Sequence, residues 1–128
     1  MMLENFFNIR VACLAILLTI PLSSLAGGNP SSLYILIDGL SPYYSPYTAS
    51  VTRGIPVVWK NPTASPHTVT HDGCKGHEWC AFDSGAILPG GSFQVPSLPP
   101  GLYPYFCTLH PIMRGMLEVK ETPIPAST

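Results

Sequence analysis

The chain has 128 residues, a formal net charge of −1 and only 10% charged residues. That length suggests one domain, and the absence of a basic patch or stripe argues against a nucleic-acid partner. Fifteen prolines and eleven glycines follow no period, and because proline breaks helices and ends strands they point to short strands joined by many turns.

In chain order, Met1 to Arg10 is a polar-flanked start, and Val11 to Ile20 is an apolar run interrupted only by Thr19. Pro21 follows, then Ser24-Leu25-Ala26, a small-x-small triplet suited to cleavage before Gly27. The run falls short of the roughly 20 apolar residues of a membrane-spanning helix. Residues 1–26 therefore read as a signal peptide and 27–128 as a mature domain that is periplasmic or secreted, with no membrane span. An uncleaved N-terminal anchor is the alternative. Glu4 makes the leading stretch less positive than usual, and Cys13 would leave with the signal.

Ser31 to Asp38 alternates around Leu33, Ile35 and Ile37, the pattern of a strand with one buried face. Ser41 to Pro46, with two prolines and two tyrosines, is a loop or edge segment. Tyr47 to Thr52 predicts a second strand, with Ala49 and Val51 on one face and Thr48, Ser50 and Thr52 on the other. Ile55 to Trp59 predicts a third, and Pro56 puts it at a sheet edge or marks its beginning. Further strands are expected over His67–His71, where Thr68, Val69 and Thr70 favour extended backbone, and over Phe82–Ser84, Ser92–Val95, Leu102–Cys107 and Gly115–Lys120. No segment after the signal sustains a 3.6-residue apolar period. The expected fold is all-β: a Greek-key antiparallel β-sandwich of about 7–8 strands, an architecture usual for roughly 100 residues.

The chemistry concentrates in Cys107-Thr108-Leu109-His110-Pro111-Ile112-Met113, which places a thiolate, an imidazole and a thioether within seven residues. Thiolate and thioether are soft ligands, and one further His would complete a His2Cys set with a weak axial Met, the pattern of an electron-transfer copper centre. His67 lies about forty residues upstream, between Pro66 and a β-branched run. In a sandwich, a residue at the end of one strand can meet the loop joining two later ones. Zinc would accept Cys and His, but thioether suits it poorly. Cys107 is otherwise an ordinary buried thiol. His110 could act as a base for it, but no substrate-binding or oxyanion feature accompanies the pair, so an enzyme is not expected.

His71, Cys74, His77 and Cys80 recur at three-residue spacing. They admit two readings: a second metal site, or a Cys74–Cys80 disulfide with two exposed histidines. An oxidising compartment favours the disulfide.

The chain resembles the cupredoxins, small type 1 (blue) copper proteins, on the amicyanin and plastocyanin branch. The resemblance runs through Tyr44-x-Pro46, Val51, Gly54, Val58-Trp59-Lys60-Asn61 and Pro66-His67-Thr68-Val69 to Tyr105-Phe106-Cys107-Thr108-Leu109-His110-Pro111-Ile112-Met113-Arg114-Gly115. The two-residue gaps on both sides of His110 are similar to amicyanin. The resemblance implies one type 1 copper ion held by His67, Cys107 and His110, with Met113 as axial ligand and Met116 as its rival. Thr68 departs from the pattern, since relatives often have Asn after the first His to tie the two ligand loops together. The function implied is one-electron transfer by a monomer that meets redox proteins transiently through an apolar patch near His110, formed by Leu109, Pro111, Ile112 and Leu88-Pro89. The alternatives are a protein that delivers or buffers copper for another enzyme, and an accessory domain of a membrane redox complex.

Overall fold

The computed structural model describes residues 31–123, so the signal peptide expected over residues 1–26 lies outside the described residues. Among the described residues eight strands form: β1 (Leu33–Ile37), β2 (Tyr44–Ser45), β3 (Thr48–Thr52), β4 (Val57–Lys60), β5 (Thr70–His71), β6 (Ser92–Val95), β7 (Gly101–Phe106) and β8 (Arg114–Lys120). They build two four-stranded sheets, ordered β2-β1-β4-β6 and β3-β8-β7-β5. Between β5 and β6 the chain makes a 3-10 turn over Asp72–Lys75. Among the described residues no helix is long and apolar enough to cross a membrane.

The alternation in the sequence becomes the two faces of each sheet. Ile35 and Ile37 are buried while Tyr34 and Leu36 are exposed; Ala49 and Val51 point inward; Gly115, Leu117 and Val119 do so in β8. The two inner faces close on a core centred on Trp59, Tyr44 and Tyr105. Tyr105 meets Tyr44 edge-on at 4.8 Å between ring centres and Trp59 at 5.5 Å, a favoured aromatic geometry. Pro56 precedes a central strand, since β4 lies between β1 and β6. There proline costs no ladder bond, and its carbonyl accepts from Leu33 N–H at 2.9 Å.

Two details differ from the expected antiparallel sandwich. The pairs β1/β4 and β3/β8 run parallel, so both sheets are mixed. Their partners are joined by chain that crosses to the other sheet, and such a crossing returns a strand in either sense, whereas the direct hairpin β7–β8 must be antiparallel. The strand expected over His67–His71 is regular only at its end. His67 makes a single bridge to Ile87, while Thr68 N–H is turned to the Cys107 sulfur and Val69 N–H to the Ser84 hydroxyl. Backbone committed to these side chains cannot also serve a ladder. Phe82–Ser84 is likewise reduced to one bridge, Asp83 to Thr70.

Candidate metal centre

Two chain segments converge to bring the candidate ligands together. The approach to β5 carries His67, whose backbone is anchored to Ile87 by reciprocal bonds of 3.2 and 2.7 Å. Cys107 follows directly after β7, and the loop from Cys107 to Met113 is closed by two bonds. Cys107 N–H donates to the Met113 carbonyl at 3.0 Å, and Met113 N–H donates to the His110 carbonyl at 2.8 Å. This tight loop presents Cys107, His110 and Met113 on the side facing His67.

The resulting donors are close. Cys107 Sγ lies 3.9 Å from His67 Nδ1 and 3.7 Å from His110 Nδ1, and the three ligand atoms all fall within 4.8 Å of one another. His67 and Cys107 are buried, and His110 is exposed. Cys107 is the free cysteine among the described residues. Met113 is 2% exposed and lines the same cleft as both histidines. Met116 instead sits inside β8 opposite Thr48 and Pro104, out of phase with the inward-facing Leu117.

Neighbouring groups orient the ligands. The Thr63 hydroxyl donates to carbonyl oxygen, Asn61 Oδ1 at 2.7 Å or Ser65 O at 3.0 Å, and so accepts from His67 Nε2–H at 3.0 Å. That places the His67 proton on Nε2 and leaves the Nδ1 lone pair toward the sulfur. Burial, and then the nearby His110, hold the His67 pKa below its ordinary value; the neutral imidazole this favours is the ligating form. Thr68 N–H donates to Cys107 Sγ at 3.3 Å, which fixes the sulfur against the first ligand segment. The Thr68 hydroxyl accepts from Thr108 N–H at 2.8 Å. It thereby ties the two ligand loops, as an Asn would, and the departure at position 68 preserves the tie. The Thr68 carbonyl accepts from the buried Tyr44 hydroxyl at 2.8 Å.

Sequence reading names Asn61 only within the family resemblance and does not single out Thr63. Asn61 is 1% exposed and its amide donates to Ser65 O and Ile87 O, both at 2.8 Å, bracing the His67 approach. The visible signal is Asn61-Pro62-Thr63, which opens a loop shortly before a candidate ligand.

The three-residue repeat resolves into a disulfide, Cys74–Cys80. Both sulfurs are consumed, and His71 Nδ1 accepts from Ala81 N–H at 3.2 Å, so the second-metal reading fails. The loop folds over Phe106, next to Cys107: Lys75 Nζ sits 3.7 Å from the Phe106 ring centre, and Asp72 pairs with Arg114.

A buried cysteine sulfur beside two imidazoles, with a thioether lining the same cleft as both histidines, forms a soft and borderline donor set that fits copper. No family model and no curated protein matches the sequence. Solved structures do. A purple cupredoxin from Nitrosopumilus maritimus is 26% identical, covering 70% of this chain and all of its own, with a TM-score of 0.61. A Pro-to-Gly variant of amicyanin in its reduced Cu(I) form at pH 4 is 26% identical over 70% of this chain and 83% of its own, with a TM-score of 0.60. A Pro-to-Ala amicyanin variant in the oxidised state is 25% identical over 70% and 82%, also at 0.60. Fold and site together resemble those of the cupredoxins. Within that class the likeness points toward amicyanin.

Proposed function

We propose that residues 1–26 are removed as a signal and that residues 27–128 work outside the cytoplasm as a monomeric one-electron carrier between redox proteins. His67, Cys107 and His110 are the strong ligands of a single copper ion, and Met113 is the weak axial one. Copper held there supplies one Cu(I)/Cu(II) couple. The observation that carries this reading is the convergence of three ligand atoms within 4.8 Å, on loops pinned by the β-scaffold. Such pinning limits geometric change between oxidation states, which favours transfer over binding chemistry. Exposed Leu109 and Ile112 flank His110, and a small apolar rim suits brief redox encounters. Copper delivery is the alternative, and it calls for ligands that a partner can take over. The burial of His67, Cys107 and Met113 supports retention instead.

The test is a visible spectrum and voltammetry of the copper-loaded mature domain. We expect an intense thiolate-to-copper band, reversible one-electron reduction and one copper per chain. Cys107→Ser should abolish the band; a variant that keeps its colour sinks the ligand assignment, and labile Cu(I) binding with little colour favours delivery.

A further inference from the structure

A line of hydroxyls runs from the Cys107 loop to the surface. Asp83 Oδ1 accepts from the Thr70 hydroxyl at 3.0 Å. Thr70 Oγ1 lies 3.1 Å from Thr68 Oγ1, and Thr68 Oγ1 lies 3.2 Å from Thr108 Oγ1 while accepting from Thr108 N–H at 2.8 Å. Thr68 and Thr70 are buried, at 4% and 3% exposure, whereas Asp83 is exposed. An ionised carboxylate can only accept, and each hydroxyl has one proton to donate. The direction of every bond follows: Thr70 donates to Asp83, Thr68 to Thr70, and Thr108 to Thr68. The oxygen ends of these dipoles all face the ligand loop. Thr68 also supplies the N–H that meets Cys107 Sγ.

We infer that Asp83 is a positioning residue for the copper centre, acting through Thr70 and Thr68. The inference rests on the copper reading above. With the carboxylate in place, the Thr68 oxygen is committed to accepting from the Cys107–His110 loop, and the aligned negative ends favour the more positive oxidised metal. Hydrogen-bonded chains in a low-dielectric interior polarise one another, so the effect reaches the loop although Asp83 touches no ligand.

The test compares Thr70→Val, Asp83→Ala, their double variant and Asp83→Asn in the copper-loaded mature domain. Asp83 Oδ1 also accepts from Gly85 N–H at 3.1 Å, so Asn keeps its oxygen toward Thr70 and removes only the charge. Thr70→Val and Asp83→Ala should each lower the Cu(II)/Cu(I) ratio at fixed external potential about threefold, close to 30 mV at 59 mV per decade. The double variant should add nothing to either, and Asp83→Asn should shift less than Asp83→Ala. In the metal-free domain, Thr108 amide exchange should quicken in the first two variants. Unmoved potentials, additive shifts, or Asp83→Asn equal to Asp83→Ala overturn the relay. If the wild type shows no thiolate band, the copper reading fails instead, and unchanged Thr108 exchange in the metal-free variants then overturns the relay on its own. Asp83 is on the surface, so its variants remain informative should Thr70→Val not fold.

Discussion

Thr68 illustrates how much one position can carry. Its N–H meets the cysteine sulfur, its hydroxyl holds the opposite loop and its carbonyl receives Tyr44. The proposed axial choice also rests on single residues, because Met113 lines the cleft with both histidines while Met116 is a strand residue on the other phase. Met113→Leu should therefore raise the reduction potential, since a thioether donor favours the oxidised metal and the axial ligand tunes the couple. Met116→Leu should leave it at the wild-type value. Voltammetry of the two variants checks this, and a shift confined to Met116→Leu would reverse the assignment.

At the scale of elements, β7 and β8 act as one unit with the loop they share. Gly115 lies opposite Tyr105, and an added Cβ there would meet the Tyr105 ring. Gly115→Ala should destabilise the domain by about 1–3 kcal/mol, the usual cost of overpacking, read as a lower urea midpoint with unchanged slope. The disulfide loop is a separate element that packs on Phe106. Replacing Cys74 and Cys80 by Ser should cost about 2 kcal/mol on chain-entropy grounds while copper stoichiometry stays at one. Denaturation paired with metal analysis reads both quantities.

At the scale of the whole molecule, the core aromatics set a pH limit. Burial raises the pKa of Tyr44 and of Tyr105 far above the ordinary phenol value, and Tyr103 is raised in the same way. Unfolded tyrosines titrate near pH 10. Below that pH neither state gains from ionisation. Above it the unfolded chain releases protons that the native state keeps, so stability falls as pH rises. Alkaline titration should show these three phenols ionising together with loss of far-UV strand signal. Ionisation of all tyrosines with the fold intact would contradict the burial argument.

The sandwich was legible because burial imposes a period of two on any half-buried strand: β3 shows it clearly and β1 weakly, since Tyr34 and Leu36 are apolar too. Cys107, His110 and Met113 were legible because they share one short loop, where spacing in sequence is spacing in space. Strand sense, by contrast, depends on which sheet each crossing enters, so the parallel β1/β4 and β3/β8 pairs left no local mark. The shortening of the His67–His71 strand had the same origin: its propensity was correct, but Cys107 and Ser84, distant in sequence, claimed its backbone donors. Composition, periodicity and the Cys-x2-His-x2-Met loop were decided by the sequence alone. The tie from Thr68 to Thr108, the anchoring of Asn61 on Ile87 behind His67, and the link from Thr70 to Asp83 were decided only by tertiary structure, because each joins groups well separated in sequence that the fold brings together.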